Sequence, residues 1–216
     1  MTAWPELLGH QRADGGFGIR NHVLVVSTMD VTNGLARRIA GTVKGAVPIT
    51  TSFGRVHPGA ERSQHESTLA GLIRNPNTAA ALVVGFEPET TAGVLEALGA
   101  CGKPVEARSV LSDGSTTDLL TDGARIVADM VTKAGRDPRA PMPLPKLVLG
   151  LKCGGSDPTS GLIGNAAVGR VSDALVEAGA TVILSETEDM IGAEHLLAAR
   201  AASPVIGAEI QAAVDR

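Results

Sequence analysis

The sequence predicts an α/β protein with a mainly parallel, Rossmann/flavodoxin-like sheet, followed by a second, shorter α/β unit. Two observations lead there. Short runs rich in Val, Ile and Leu alternate with amphipathic segments of helical period, the pattern of a parallel sheet covered by helices. That alternation breaks at "RDPRAPMPLPK", residues 136–146, and restarts after it with two clear strands before residue 216.

In order, "HVLVVSTM" (22–29) reads as a buried strand and "NGLARRIAGTV" (33–43) as a helix with Asn33 near its N-cap. "AVPITTS" (46–52) is a second strand, "HESTLAGLIRN" (65–75) a helix stopped by Pro76, and "AALVVGF" (80–86) a third strand. "TTAGVLEALGACG" (90–102) is a helix for which Gly102 is suited to the position after the C-cap. "VEARSVL" (105–111) is a weaker strand, and "TTDLLTDGARIVADMVTKAG" (116–135) a long helix. These elements make residues 1–137 one α/β domain, with a stiff proline-rich linker at 138–146. Beyond it lie strand 147–151, helix 166–179, strand 181–186, helix 192–201 and the start of another helix. Residues 147–216 are few for an independent parallel domain. They either join the first sheet or begin a domain whose remainder lies elsewhere.

Composition narrows the function. A formal charge of −4, with 19 basic and 23 acidic residues interspersed, offers no basic stripe. With one Trp, three Phe and no Tyr there are few stacking platforms, so nucleic acid is an unsuitable partner. No apolar run reaches the ~18 residues of a membrane span, and "MTAWPELLGHQRADGG" has no secretory leader pattern. The expectation is a cytoplasmic protein that acts on a small molecule or binds a protein partner. Cys101 and Cys153 are too few for a disulfide framework.

"LVLGLKCGGSDPTSGLIGNAAVGR" (147–170) concentrates the chemistry. Ligand sites in open α/β sheets lie at the carboxyl ends of strands, and Cys153-Gly154-Gly155-Ser156-Asp157 follows such a strand. Glycines let a backbone approach a ligand closely, while Ser156, Asp157, Thr159 and Ser160 supply polar groups for an anion. "CGGSDPTSG" has neither the lysine of a phosphate-binding loop nor dinucleotide-type glycine spacing. A thiol nucleophile, a metal site, and a plain Gly-Gly turn with a buried cysteine and a capping side chain all remain open. "LSETEDMIGAEHLL" sets Glu186, Glu188 and Asp189 after the next strand, then Glu194 and His195, a set suited to acid–base work or a divalent metal. The plain alternative is a charged helix N-terminus. Nearer the amino terminus, Arg20 and Asn21 precede a strand that Asp30, Thr32 and Asn33 follow, and Arg55, His57 and His65 come after the second strand. Arg20 is suited to gripping a carboxylate in bidentate fashion.

Four stretches, "DGGFGIRNHVLVV", "TLAGLIRNPNTAAALVVG", "LGLKCGGSDPTSGLIGNAAVG" and "ILSETEDMIGAEHLLAARA", resemble the altronate/galactarate dehydratase (UxaA-type) hydro-lyase family and its sulfolactate sulfo-lyase large-subunit relatives. They span Asp14 to Ala201. The resemblance implies a lyase that eliminates water or sulfite from a small hydroxy or sulfonated acid, using a divalent metal, Fe²⁺ before Mn²⁺. Carried over by motif, Arg20, Asn21, Asn33, Gly154, Gly155, Ser156, Ser160 and Asn165 would hold substrate. Cys153, Asp157, Glu186, Glu188 and His195 would be catalytic, with Cys153, Asp157 and Glu186 as metal ligands.

Two segments depart from the family pattern. "TSFGRVHPGAERSQH" lacks the cysteine of a T-H-x-x-G-C-G-like segment, and "GFEPE" has Pro88 where G-L-G-C-E has one. Those changes lean toward the sulfo-lyase-like branch or another substrate, away from altronate itself. The family's large chain is also longer, which leaves a half-length paralogue, a split subunit or a truncated product; the partners expected are a C-terminal-half chain or a small SAF-type subunit, with assembly as a homo-oligomer. A non-catalytic subunit or remnant that binds a partner or an acid is the rival reading.

Overall fold

A computed structural model describes residues 4–53 and 59–215. Arg55 and His57 therefore lie outside the described residues. The chain divides into two compact units, Met1–Met142 and Pro143–Arg216.

The core of unit 1 is a four-stranded parallel sheet. Its strands are β3 (His22–Ser27), β4 (Ala46–Ile49), β5 (Thr78–Gly85) and β6 (Val105–Ser109), in the order β4-β3-β5-β6. This is the α/β class expected. Two short strands precede β3, namely β1 (Leu7–Gln11) and β2 (Phe17–Gly18). The alternation of β3 puts Val23 and Val25 on one face of the sheet and Leu24 and Val26 on the other. On the first face they meet Leu35 and Ile39 of α1 (Asn33–Thr42) and Ile126, Val127 and Met130 of α5 (Thr116–Ala134). On the second they meet Leu69 and Ile73 of α2 (Ala60–Arg74) and Val94 and Leu98 of α3 (Pro88–Leu98). Val23, Val25, Val26, Leu82, Val83 and Val84 are each 1% exposed or less. Both faces of the sheet are thus covered, as purely parallel sheets require.

Several boundaries differ from the sequence reading, each for a local reason. Strand β4 stops at Ile49, because the Asn33 side chain takes up the backbone of Thr51 beyond it. Helix α2 begins at Ala60, ahead of the expected residue 65, after Gly59 turns with a φ of 73°. Helix α3 ends at Leu98, not 102: Gly99, with a φ of 56°, returns its N–H to Leu95 O and closes the helix. After β6 the chain enters a short helix, α4 (Val110–Asp113), where strand had been expected to residue 111. A capping box of Ser115 and Asp118 starts α5.

The sequence reading has no counterpart for a small antiparallel sheet, β2-β1-β7, whose third strand β7 is Ala140–Met142. Leu8 pairs with Pro141. Proline donates no N–H, and β7 is an edge strand, where that is tolerated. Part of the proline-rich stretch is therefore sheet.

In unit 2, β8 (Val148–Leu151) and β9 (Thr181–Leu184) form a two-stranded parallel sheet, joined through a π-helical turn at Ser160–Gly164 and α6 (Asn165–Glu177). A 3-10 turn at Thr187–Met190, α7 (Glu194–Ala198) and α8 (Pro204–Val214) follow. The helix expected over 192–201 is reduced to α7, and the strand expected to residue 186 ends at Leu184. Among the described residues of this unit, only Leu175, Ala180 and Gly207 are buried. Among the described residues no helix is long and apolar enough to cross a membrane.

Candidate active site

Arg20 and Asn21 stand at the amino end of β3 and Asn33 beyond its carboxyl end, so the sheet separates them. A six-residue strand spans roughly 20 Å. Asn21 is fully engaged: its Oδ1 accepts from Arg12 Nη2 at 2.7 Å, and its Nδ2 donates to Ala134 O at 2.8 Å and Asp137 Oδ2 at 3.2 Å. Arg12 also donates from Nε to Pro76 O at 2.7 Å. Arg20 is exposed, and its guanidinium reaches the neighbouring Ile19 carbonyl. Lys103 Nζ donates to the carbonyls of Ile73, Arg74 and Asn75, capping α2, and burial with the nearby Arg12 charge pushes its pKa down to about 8.

Thr32, not Asn33, occupies the N-cap position of α1. Asn33 instead brackets Thr51, donating to its carbonyl at 2.6 Å and accepting from its N–H at 3.1 Å. At the same edge His65 Nε2 lies 2.8 Å from Thr28 O, and the ring stacks on Phe53 at 4.1 Å. This carboxyl edge is closed by short side chains. Ser27 and Thr32 share a buried hydroxyl bond of 2.7 Å, and Thr28 donates to Thr90 at 3.0 Å.

Unit 2 brings its two motifs together. Glu186, after β9, accepts from Lys152 Nζ on Oε1 at 2.5 Å and from the Cys153 N–H on Oε2 at 2.6 Å. One carboxylate thus ties the Cys-Gly-Gly turn to the Ser-Glu-Thr-Glu-Asp turn. The Lys152 ammonium and then the Cys153 N–H hold the Glu186 carboxyl below the usual carboxylate range, and Glu186 in turn raises the pKa of Lys152. Glu186 has a φ of 71°, the one positive φ outside glycine among the described residues. A left-handed conformation costs a side-chain-bearing residue about 1–2 kcal/mol.

Asp157 acts locally. Its Oδ1 accepts from the N–H and hydroxyl of Thr159 at 2.8 and 2.6 Å, and from the N–H of Ser160 at 3.0 Å. These bonds, that from the Thr159 hydroxyl foremost, keep its pKa low. They start the π-helical turn that leads into Asn165, the exposed first residue of α6. Gly154, Gly155 and Ser156 are exposed, and Ser156 Oγ lies 4.0 Å from Cys153 Sγ. The plain reading of a buried cysteine is corrected: Cys153 is exposed, because the turn projects past the end of a two-stranded sheet. Glu188 sits exposed in the 3-10 turn and His195 exposed on α7.

Among the described residues no three His, Cys, Asp or Glu side chains gather to hold a metal ion. Cys153, Asp157 and Glu186 therefore do not by themselves fit a divalent cation: one carboxylate caps a turn and the other is held by an ammonium. Lys152, which sequence reasoning passed over, is the cation of this cluster. It stands as a lone lysine after a strand, ahead of Cys153 and two glycines, a position that by itself does not say what it faces.

A family model described as D-galactarate dehydratase/altronate hydrolase, second domain, matches residues 9–135. One described as D-galactarate/altronate dehydratase, C-terminal, matches residues 144–216. The chain is 38% identical over 209 residues to a Chromohalobacter salexigens protein named (2R)-sulfolactate sulfo-lyase subunit beta, covering 97% of the chain and 54% of that relative. It is 32% identical to the altronate dehydratase of Bacillus subtilis and 30% to that of Escherichia coli, covering 90% and 89% of the chain and 41% of each relative. The chain thus spans about half the length of these curated relatives, or less.

Proposed function

The chain belongs to the D-galactarate/altronate dehydratase family, and from that premise we propose that it serves a lyase that eliminates water or sulfite from a small hydroxy or sulfonated carboxylic acid. The observation that carries this reading is the convergence of the two strand-end turns of unit 2 on Glu186. It sets a carboxylate, an ammonium and a backbone N–H at one point of the sheet edge. Elimination takes the proton α to a carboxylate, develops negative charge on that carboxylate and expels hydroxide or sulfite. A base and fixed donors at one spot are what such a step uses. Sulfolactate is favoured over altronate by the higher identity to the sulfo-lyase subunit, 38% against 32% and 30%.

We further propose that additional polypeptide completes unit 2. A two-stranded parallel sheet cannot bury both its faces. Ile183, Leu184, Leu162 and Ile163 are 51–80% exposed, and Glu194 Oε2 is buried with no hydrogen-bond partner among the described residues. A divalent ion, Fe²⁺ or Mn²⁺, would supply charge stabilisation once such a partner contributed ligands. Work in the cytoplasm fits two cysteines that are both free thiols.

The test is turnover. The chain, alone and with polypeptide corresponding to the remainder of its relatives, is given (2R)-sulfolactate, altronate and galactarate, while sulfite and keto-acid formation are followed. Release of sulfite or water by the completed assembly supports the lyase reading. Inactivity of the completed assembly on all three acids overturns it and leaves the non-catalytic reading.

A further inference from the structure

We propose that Lys152 Nζ and the Cys153 N–H form a seat for one carboxylate, which Glu186 fills in this chain and which the carboxylate of a small hydroxy acid takes by displacing it. The inference rests on the lyase reading only for its choice of ligand.

The seat is defined by two donors, each bonded to a different oxygen of the same carboxylate, at 2.5 and 2.6 Å. That pairing matches a carboxylate's two oxygens. A backbone N–H joined to a cation is a charge-assisted site of the kind proteins use for anions. The approach is open. Lys152 is 73% exposed, and a Cβ built on Gly154 or Gly155 would meet nothing within 4 Å.

Glu186 is a reluctant occupant. It enters the seat from a left-handed backbone with a φ of 71°, which glycine adopts without cost and glutamate does not. The Lys152 half of the pair is exposed while the Glu186 side chain is 18% exposed; an ion pair open to solvent on its cationic side contributes little net stability, so the closed form is not locked. A diffusing carboxylate meets the same two donors without the backbone penalty. Its arrival leaves Glu186 with both oxygens released, the state in which a carboxylate accepts a proton.

Competition for one seat has an unusual consequence: removing an acidic side chain strengthens binding of an acid. If Glu186 is seated about nine-tenths of the time, apparent ligand affinity is reduced about tenfold, and emptying the seat restores it. Glu186→Gly suits the test because it removes the carboxylate and accepts the left-handed backbone. The probe is lactate, with lactamide as the uncharged control, titrated at constant ionic strength into ¹⁵N-labelled chain while the Cys153 amide resonance is followed. The expected result is about tenfold tighter lactate binding by Glu186→Gly than by the parent chain. Binding should be lost on adding Lys152→Met, retained with Lys152→Arg, and not seen with lactamide. Spectra unchanged outside the two turns establish that each variant is folded. The proposal is overturned if Glu186→Gly binds lactate no more tightly than the parent, or if Lys152→Met leaves that binding intact. The lyase reading fails separately, by lack of turnover in the completed assembly whatever lactate does.

Discussion

Replacing Gly18 by alanine tests the reason for the glycine-rich opening of this chain. A Cβ at Gly18 would stand 2.7 Å from the carbonyl carbon of Pro76 and 2.9 Å from Arg20 O, and closer still to the Pro76 oxygen. Ordinary contact begins at 3.4 Å, so β2 and the Pro76 turn would have to part by more than 0.7 Å. Both partners are backbone, with no flexible side chain to yield. Arg12 Nε also clamps the same Pro76 carbonyl at 2.7 Å, and that bond would be strained as the turn moved. Overpacking costs about 1–3 kcal/mol, and a weakened charged hydrogen bond adds to it. About 3 kcal/mol lost corresponds to a fall in Tm of roughly 6–12 °C for a chain of this size. The assay is thermal unfolding followed by circular dichroism, with Gly71→Ala as control. Gly71 lies inside α2 with nothing within 4 Å of its built Cβ. Alanine there should stabilise by about 0.5–1 kcal/mol. A Gly18→Ala variant melting within a degree of the parent would refute the close approach, and with it the structural explanation of the motif.

Ser115→Ala removes the capping box of α5. It should cost about 1 kcal/mol, read as a lower urea midpoint at unchanged m-value. Lys103→Met strips three donors from the end of α2. It should destabilise by about 1–3 kcal/mol, and hydrogen exchange should rise first at the last turn of that helix. His10 is 8% exposed with Nδ1 unpartnered, and burial, then the Arg12 and Arg139 charges, hold its pKa below the ordinary 6.5 against a smaller opposing effect of Asp137. The unfolded chain therefore binds the proton first as pH falls. The contribution is intact above 6.5 and is lost as pH drops through the lower folded value. Denaturant unfolding at several pH values should show that loss, and His10→Leu should flatten it.

Much of unit 1 was legible because burial on both faces writes an unbroken apolar run into β3, and burial on one face writes period 3.6 into α1 and α5, where Leu35, Ile39 and Ile126 recur on the core side. The segments missed were short or lacked a period of their own. Strand β7 contains Pro141 and is held by pairing with β1, residues some 130 positions away, which no local pattern reports. The end of α3 was misplaced because two glycines, Gly99 and Gly102, both take a positive φ and only the first closes the helix. In the site, the turns at 153–157 and after 184 were identified by their residue types, since glycine, serine and carboxylates after an apolar run mark a strand end. Lys152 went unread because a single lysine in sequence carries no sign of what it faces.

By itself the sequence determined the family, the α/β class, the order of the parallel strands' helices and the two polar strand ends of unit 2. Those properties reside in local pattern and in motifs many residues long. Tertiary structure decided what each polar group does. Asn21 and Asn33 are spent on backbone and side-chain partners brought by distant segments. Asp157 turns inward to its own loop, and Glu186 crosses from β9 to the end of β8. A carboxylate's role depends on which donors stand within about 3 Å of it, and folding, not position along the chain, sets that neighbourhood.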